Sequence, residues 1–222
     1  PLPKEDQDNQ GGAVPVGSHL FESINASGDR TDWGKGVTVA VLDTGVKKHP
    51  TFGTDQVTHL DLVNDGKPFH SHGTSVASLI AGEDEQAPGV APAAHILDIR
   101  VANDKGFSVT SVLAQGIIEA VDRGASIINI SMGGYDDSLV LRQAVEYARQ
   151  HGVPIFAAAG NDAYDQLAYP AAIPGVTSVG SVAGDGKQAY FSNSGSNLAF
   201  AAPGVQLTTA WSTNKIATVS GT

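Results

Sequence analysis

The feature that most narrows the fold is an alternation of two hydrophobic periods along the chain. Short runs rich in Val, Ile, Leu and Ala recur at 37–42, 96–101, 127–132, 155–159, 176–182 and 198–202. Segments of helical period lie between several of them. Val109, Val112, Leu113, Ile117, Ala120 and Val121 share one helical face. Leu141, Ala144, Val145 and Ala148 share another, and Val76, Leu79 and Ile80 a third in a segment that begins at His72. A run that is apolar on both faces has no side to give to water. Such strands, alternating with helices, predict an α/β fold: a three-layer, mostly parallel sheet with helices on both faces. Right-handed crossovers then bring the strand carboxyl ends to one edge, where open α/β sheets place their sites. A length of 222 residues suffices for one such domain. Residues 1–17, rich in Pro, Gly, Asp and Gln, read as an N-terminal arm on the surface. Residues 18–222 read as one domain that opens with a short helix at 18–25 and contains no internal repeat or linker.

Composition removes several function classes. Lys and Arg number 13 against 23 Asp and Glu, a formal charge of −10. Binding to phosphate backbones needs the opposite balance, so no nucleic-acid partner is expected. No apolar run reaches the roughly 20 residues of a membrane helix, so no membrane span is expected either. Cysteine is absent, which excludes a disulfide framework, a thiolate metal site and a cysteine nucleophile.

Three segments carry polar groups where chemistry could occur. In the first, the run 37–42 ends in Asp43-Thr44-Gly45. The carboxylate could simply cap a turn. It could also be one half of an aspartic-protease pair, but no second Asp-Thr-Gly is present, and only a homodimer would supply it. The second segment, His70-Ser71-His72-Gly73-Thr74, places His72 at or near a helix N-terminus with small residues behind it. Its His-x-His spacing admits a metal chelate, yet no further ligands accompany it. In the third, the strand 155–159 runs into Gly160-Asn161, either a plain turn or an amide donor at the sheet edge.

Taken in order, these segments resemble the subtilisin-like serine proteases, or subtilases. Gly89-Val90-Ala91-Pro92, Ser131-Met132-Gly133-Gly134, Tyr169-Pro170-Ala171, Ala202-Pro203-Gly204 and the closing Ser220-Gly221-Thr222 strengthen the resemblance, which runs from about residue 13 to 222. It implies a secreted serine endopeptidase with an Asp-His-Ser triad. Asp43 would support His72 as general base and acid, and Asn161 would donate to the oxyanion. Gly106, Phe107 and Ser108 would form one backbone edge and Ser131, Met132 and Gly133 the other, holding a peptide between them as an extended strand. Ala158, Ala159 and Gly160, with Met132 to Gly134, would wall the pocket for the residue before the scissile bond.

The resemblance also marks where the chain departs from the pattern. In the family, Gly-Thr immediately precedes the nucleophilic serine, and here the sequence ends at Thr222. A fragment of a longer chain, a pseudoenzyme and a nicked protein with a bound second piece all fit that ending, so a pro-segment or a C-terminal fragment is a candidate partner. A polypeptide ending at Thr222 is expected to be inactive. A catalytically silent binding or scaffold module on the same fold is the alternative function. The chemistry needs no cofactor. The resemblance admits a structural calcium ion near Glu83-Asp84-Glu85, with Asp6 or Asp8 assisting, whereas Ala199 weakens a second cation site. Ser75 stands where histidine is commoner in the family, with no mechanistic consequence foreseen.

Overall fold

The computed structural model describes residues 13–222, so residues 1–12 of the expected arm, Asp6 and Asp8 among them, lie outside the described residues. Seven strands form one sheet: β1 (Thr38–Asp43), β2 (Val57–Asp61), β3 (His95–Arg100), β4 (Ile127–Ile130), β5 (Ile155–Ala158), β6 (Val176–Val182) and β7 (Phe200–Pro203). Their order is β2-β3-β1-β4-β5-β6-β7, and every neighbouring pair is parallel. Two further strands, β8 (Leu207–Ala210) and β9 (Ile216–Val219), make an antiparallel hairpin. The helices are α1 (Leu20–Ser23), α2 (Ser71–Ala81), α3 (Thr110–Asp122) and α4 (Leu139–Gln150). The expected helix at 18–25 begins as a 3-10 turn, Gly17–His19, before α1.

Two cores show why the central strands are apolar on both faces. Ala40 and Leu42 of β1 and Leu97 and Ile99 of β3 pack with Ile117 of α3 and with Ala144 and Val145 of α4. Val39, Val41 and Ile96 point the other way, onto Ala77 and Ala81 of α2. Side chains such as Ile117 and Ile99 are fully buried, each worth roughly 1.5–3 kcal/mol relative to exposure. The first described residues also dock: Val16 is buried, and its N–H donates to the Val205 carbonyl at 3.1 Å.

Three strands lack the sequence signal of the others. β2 is an edge strand whose middle residues Thr58 and His59 face water. β8 and β9 are short and rich in threonine and alanine. Their hairpin packs on α2 through polar interlocks. Ser75 Oγ donates to Thr209 Oγ1 at 2.9 Å, and Ser78 Oγ accepts from Ala210 N at 3.0 Å. Ser75 therefore has a packing role between helix and hairpin.

The consequence for the site is positional. After β1 the chain builds β2 and then β3 on one side of it, and β4 adds on the other, so the carboxyl end of β1 opens at a reversal in strand order. Ligands in open α/β sheets bind at such crevices. Asp43 is the last residue of β1.

Candidate active site

His72 lies in the first turn of α2, and three local contacts put it there. The side chain of His70 caps the helix: its Nδ1 accepts the His72 N–H at 3.1 Å. Burial, followed by the nearby His72 and Lys47, pushes the His70 pKa below the usual imidazole range. That keeps the ring neutral and able to accept. Thr44 Oγ1 accepts the Gly73 N–H at 3.1 Å, tying the helix start to the loop after β1. At Gly73 a Cβ would stand 2.6 Å from the Gly45 carbonyl oxygen, so only glycine lets helix and loop approach this closely.

The approach brings His72 against Asp43. His72 Nδ1 and Asp43 Oδ1 are 2.7 Å apart, with Asp43 fully buried and His72 5% exposed. A carboxylate only accepts, so Nδ1 carries the proton and Nε2 is left with its lone pair. Among the described residues no hydrogen bond uses Nε2. The same Asp43 Oδ1 accepts the Thr44 N–H at 2.7 Å, while Oδ2 is buried without a hydrogen-bond partner. The pair is a base held in one tautomer by a buried anion.

His72 lines a cavity of ≈ 190 Å³ together with Ser131, Trp211, Val219, Gly221 and Thr222. Thr222 connects this cavity to Asn161. The backbone N–H and the hydroxyl of Thr222 both donate to Asn161 Oδ1, at 3.0 and 2.9 Å. Two donors on one atom identify it as the amide oxygen, which turns the Nδ2 donors elsewhere. The Thr222 hydroxyl in turn accepts the Gly160 N–H at 3.3 Å. Gly160 has φ +114°, and a Cβ there would lie 2.3 Å from Asn193 Nδ2, so the turn that presents Asn161 demands glycine.

The remaining residues singled out from the sequence are distributed over two cavities and one buried strand end. Gly106, Phe107 and Ser108 face Met132, Gly133 and Gly134 across a second cavity of ≈ 300 Å³. Phe107 is 71% exposed at the tip of a turn in which its carbonyl accepts the Asn103 N–H at 3.0 Å. Ser131 lines the His72 cavity instead, its Oγ accepting from Asn129 Nδ2 at 3.0 Å. Ala158, Ala159 and Gly160 line neither of these two cavities. Ala159 is fully buried, with its N–H on the Val179 carbonyl and its carbonyl on the Ala168 N–H.

Among the described residues no group of three or more His, Asp or Glu converges. Asp84 Oδ1 accepts the Gln86 N–H at 2.7 Å, within its own loop.

Sequence reasoning missed a second His–carboxylate pair. His59 of β2 donates through Nδ1 to Asp98 Oδ2 of β3 at 2.8 Å, and the same oxygen accepts the Val46 N–H at 2.8 Å. These residues lie far apart in sequence, and only strand pairing joins them. The hydrogen bond to Asp98 raises the His59 pKa against an opposing effect of burial, and burial raises that of Asp98. A raised histidine stabilises the fold fully below its unfolded value of about 6.5, and the gain fades as pH climbs through the folded value. His59→Gln should therefore lower the melting temperature more at pH 6 than at pH 9. Thermal unfolding at both values checks this, and an equal shift would contradict it.

Comparison with known proteins bears on this geometry. The sequence pattern of the subtilase family matches residues 34–222. A thermostable alkaline protease from Halalkalibacterium halodurans is 34% identical over 215 residues, 94% of this chain and 58% of that protein. Subtilisin BL from Lederbergia lenta is 34% identical over 216 residues, 95% of this chain and 79% of that protein. Among solved structures, a point mutant of the protease domain of PatA superimposes with a TM-score of 0.79 at 35% identity, covering 86% of this chain and 75% of that one. A cold-adapted subtilisin-like serine proteinase gives 0.77 at 34% identity, over 87% of this chain and 72% of that one. The chain spans little more than half the length of the alkaline protease, and 50% of a thermophilic serine proteinase from Bacillus sp..

Proposed function

This chain belongs to the subtilase family, and on that premise we propose that it carries the base and oxyanion-binding parts of a serine endopeptidase. The nucleophile is a serine directly following Gly221-Thr222. The observation that carries this reading is the buried 2.7 Å contact between His72 Nδ1 and Asp43 Oδ1, with Thr222 on the same cavity as His72.

The chemistry follows from the positions of the donors. Serine Oγ attacks the scissile carbonyl while His72 Nε2 takes its proton, and Asp43 stabilises the imidazolium that forms. The carbonyl oxygen becomes an oxyanion, toward which Asn161 Nδ2 donates, its amide oriented by Thr222. Collapse breaks the C–N bond, and His72 Nε2–H passes the proton to the departing amine. Water then attacks the acyl-enzyme by the same route in reverse roles, releasing the acid and restoring serine. The acyl part of the peptide lies between the Gly106–Ser108 and Ser131–Gly133 edges. Secretion, and a pro-segment as partner, belong to the same proposal and rest on family membership. No helix among the described residues is long and apolar enough to cross a membrane.

Specificity supplies the test. Met132, Gly133, Leu113 and Leu141 give the residue before the scissile bond an apolar wall. Ala158, Ala159 and Gly160 do not line that cavity, whose charged residues, Lys105 and Asp136, are one of each sign. Asp162, the acid nearest Gly160 in sequence, accepts the Tyr135 hydroxyl at 2.6 Å. A polypeptide carrying the proposed serine should cleave peptide anilides with Phe or Leu before the bond roughly tenfold or more faster, in kcat/KM, than those with Lys or Arg. Strict cleavage after basic residues would contradict the pocket, and no hydrolysis of any anilide would contradict the function.

A further inference from the structure

A third cavity, of ≈ 540 Å³, lies beside the start of α2. Its walls are the loop from Lys47 to Asp55, the β2 residues Val57 and His59, and Thr213–Asn214 of the β8–β9 turn. It shares no lining residue with the Gly106/Met132 cavity. Lys47 ties it to α2 twice: its Nζ donates to Ser71 Oγ at 3.1 Å and its N–H to Thr74 Oγ1 at 2.8 Å, and Ser71 precedes His72.

This wall carries two adjacent cations in a chain of formal charge −10. Lys35, Lys67 and Lys187 each have an aspartate partner, whereas Lys105 and Lys215 have none among the described residues. Lys47 and Lys48, adjacent on this loop, have no carboxylate partner among the described residues. Asp55, the one acidic residue of the lining, is exposed and pairs with neither. The wall is also built rather than loose. His49 is buried, its Nε2 donating to the Lys215 carbonyl at 3.2 Å and its Nδ1 accepting the Thr51 N–H at 3.1 Å. One neutral ring thus joins the lysine loop to the β8–β9 turn.

We propose that this cavity binds a carboxylate of the peptide segment that follows the scissile bond, with Lys47 and Lys48 as its cationic contacts. The proposal rests on the reading of Asp43 and His72 as the catalytic pair. The acyl part is assigned to the Gly106 and Ser131 edges, which leaves the cavity joined to the start of α2 for the leaving segment. Physical chemistry favours an anion there. Burial lowers the pKa of Lys47, so the cation sits partly dehydrated with only a hydroxyl to bond. A carboxylate arriving at such a site gains a charge-assisted hydrogen bond.

The test uses a polypeptide carrying the proposed serine and internally quenched peptides that differ only in Glu or Gln at the first, second or third position after the scissile bond. A further pair ends in a free carboxylate or an amide, to separate side-chain from terminal recognition. The carboxylate-bearing peptide should show a kcat/KM about 3- to 10-fold higher at one of these positions, shrinking as salt is raised. The preference should fall to near one in Lys47→Gln/Lys48→Gln, weaken in the exposed Lys48→Gln alone, and persist in Lys47→Arg. Equal rates for every Glu/Gln and acid/amide pair would overturn the proposal while leaving the protease reading intact. If no peptide is cleaved, the protease reading fails. Fluorescence anisotropy of the labelled Glu and Gln peptides then decides this proposal separately: tighter binding of Glu that the lysine substitutions abolish supports it, and equal binding overturns it.

Discussion

Asp43→Asn, in a polypeptide carrying the proposed serine, should lower kcat about 10⁴-fold, the magnitude known for serine proteases with this dyad. The cause is a lost charge. Asp43 Oδ1 accepts the His72 Nδ1–H at 2.7 Å and the Thr44 N–H at 2.7 Å. An asparagine of the same shape can keep its oxygen on both the Thr44 N–H and the His72 Nδ1–H, but it is neutral. The imidazolium that forms when Nε2 takes the serine proton then has no buried counter-charge. Because the side chains are isosteric, the fold should survive the change. Steady-state kinetics with thermal unfolding separate the two effects. Near-normal kcat with unchanged melting would mean that Asp43 only caps a turn.

Asn161→Ala should cost roughly 10²–10³ in kcat and leave KM nearly unchanged, a magnitude taken from the corresponding donor of a subtilisin. A full negative charge exists on the oxygen only after attack, so a donor aimed there helps the transition state more than the bound substrate. One observation bears on the orientation of this amide. Thr222 occupies Asn161 Oδ1 with two donors, so the amide cannot rotate without losing both. Kinetics and melting of the same variant are again compared. Lost stability with normal turnover per folded molecule would make Asn161 a turn residue.

The parts of the site that were legible in the sequence are those whose signal is local. Asp43 ends a buried strand, His72 opens a small-residue helix, and Asn161 follows a glycine at a strand end. Each element is long enough, or apolar enough, to be read from periodicity. The α/β architecture was legible for the same reason, since β1 is apolar on both faces and β3 and β4 bury isoleucines in short runs between helices. What escaped was set by tertiary contact. β2 reads as polar because it is an edge strand, and β8 and β9 are held by hydroxyl contacts to Ser75 and Ser78 that no period encodes. His70 as a helix cap, the His59–Asp98 pair and the lysine wall beside Ser71 each join segments through packing. The glycine of Ala158-Ala159-Gly160 was notable for its small size, whereas its structural reason is the left-handed turn and the close Asn193 amide.

The most direct test of the account is to locate the nucleophile chemically. A polypeptide that continues past Thr222 is treated with a serine-directed fluorophosphonate, digested, and mapped by tandem mass spectrometry, beside His72→Ala. The account predicts one adduct, on the serine that follows Gly221-Thr222, formed only when His72 is present. An adduct on Ser131 or Ser220, or labelling that persists without His72, would contradict it.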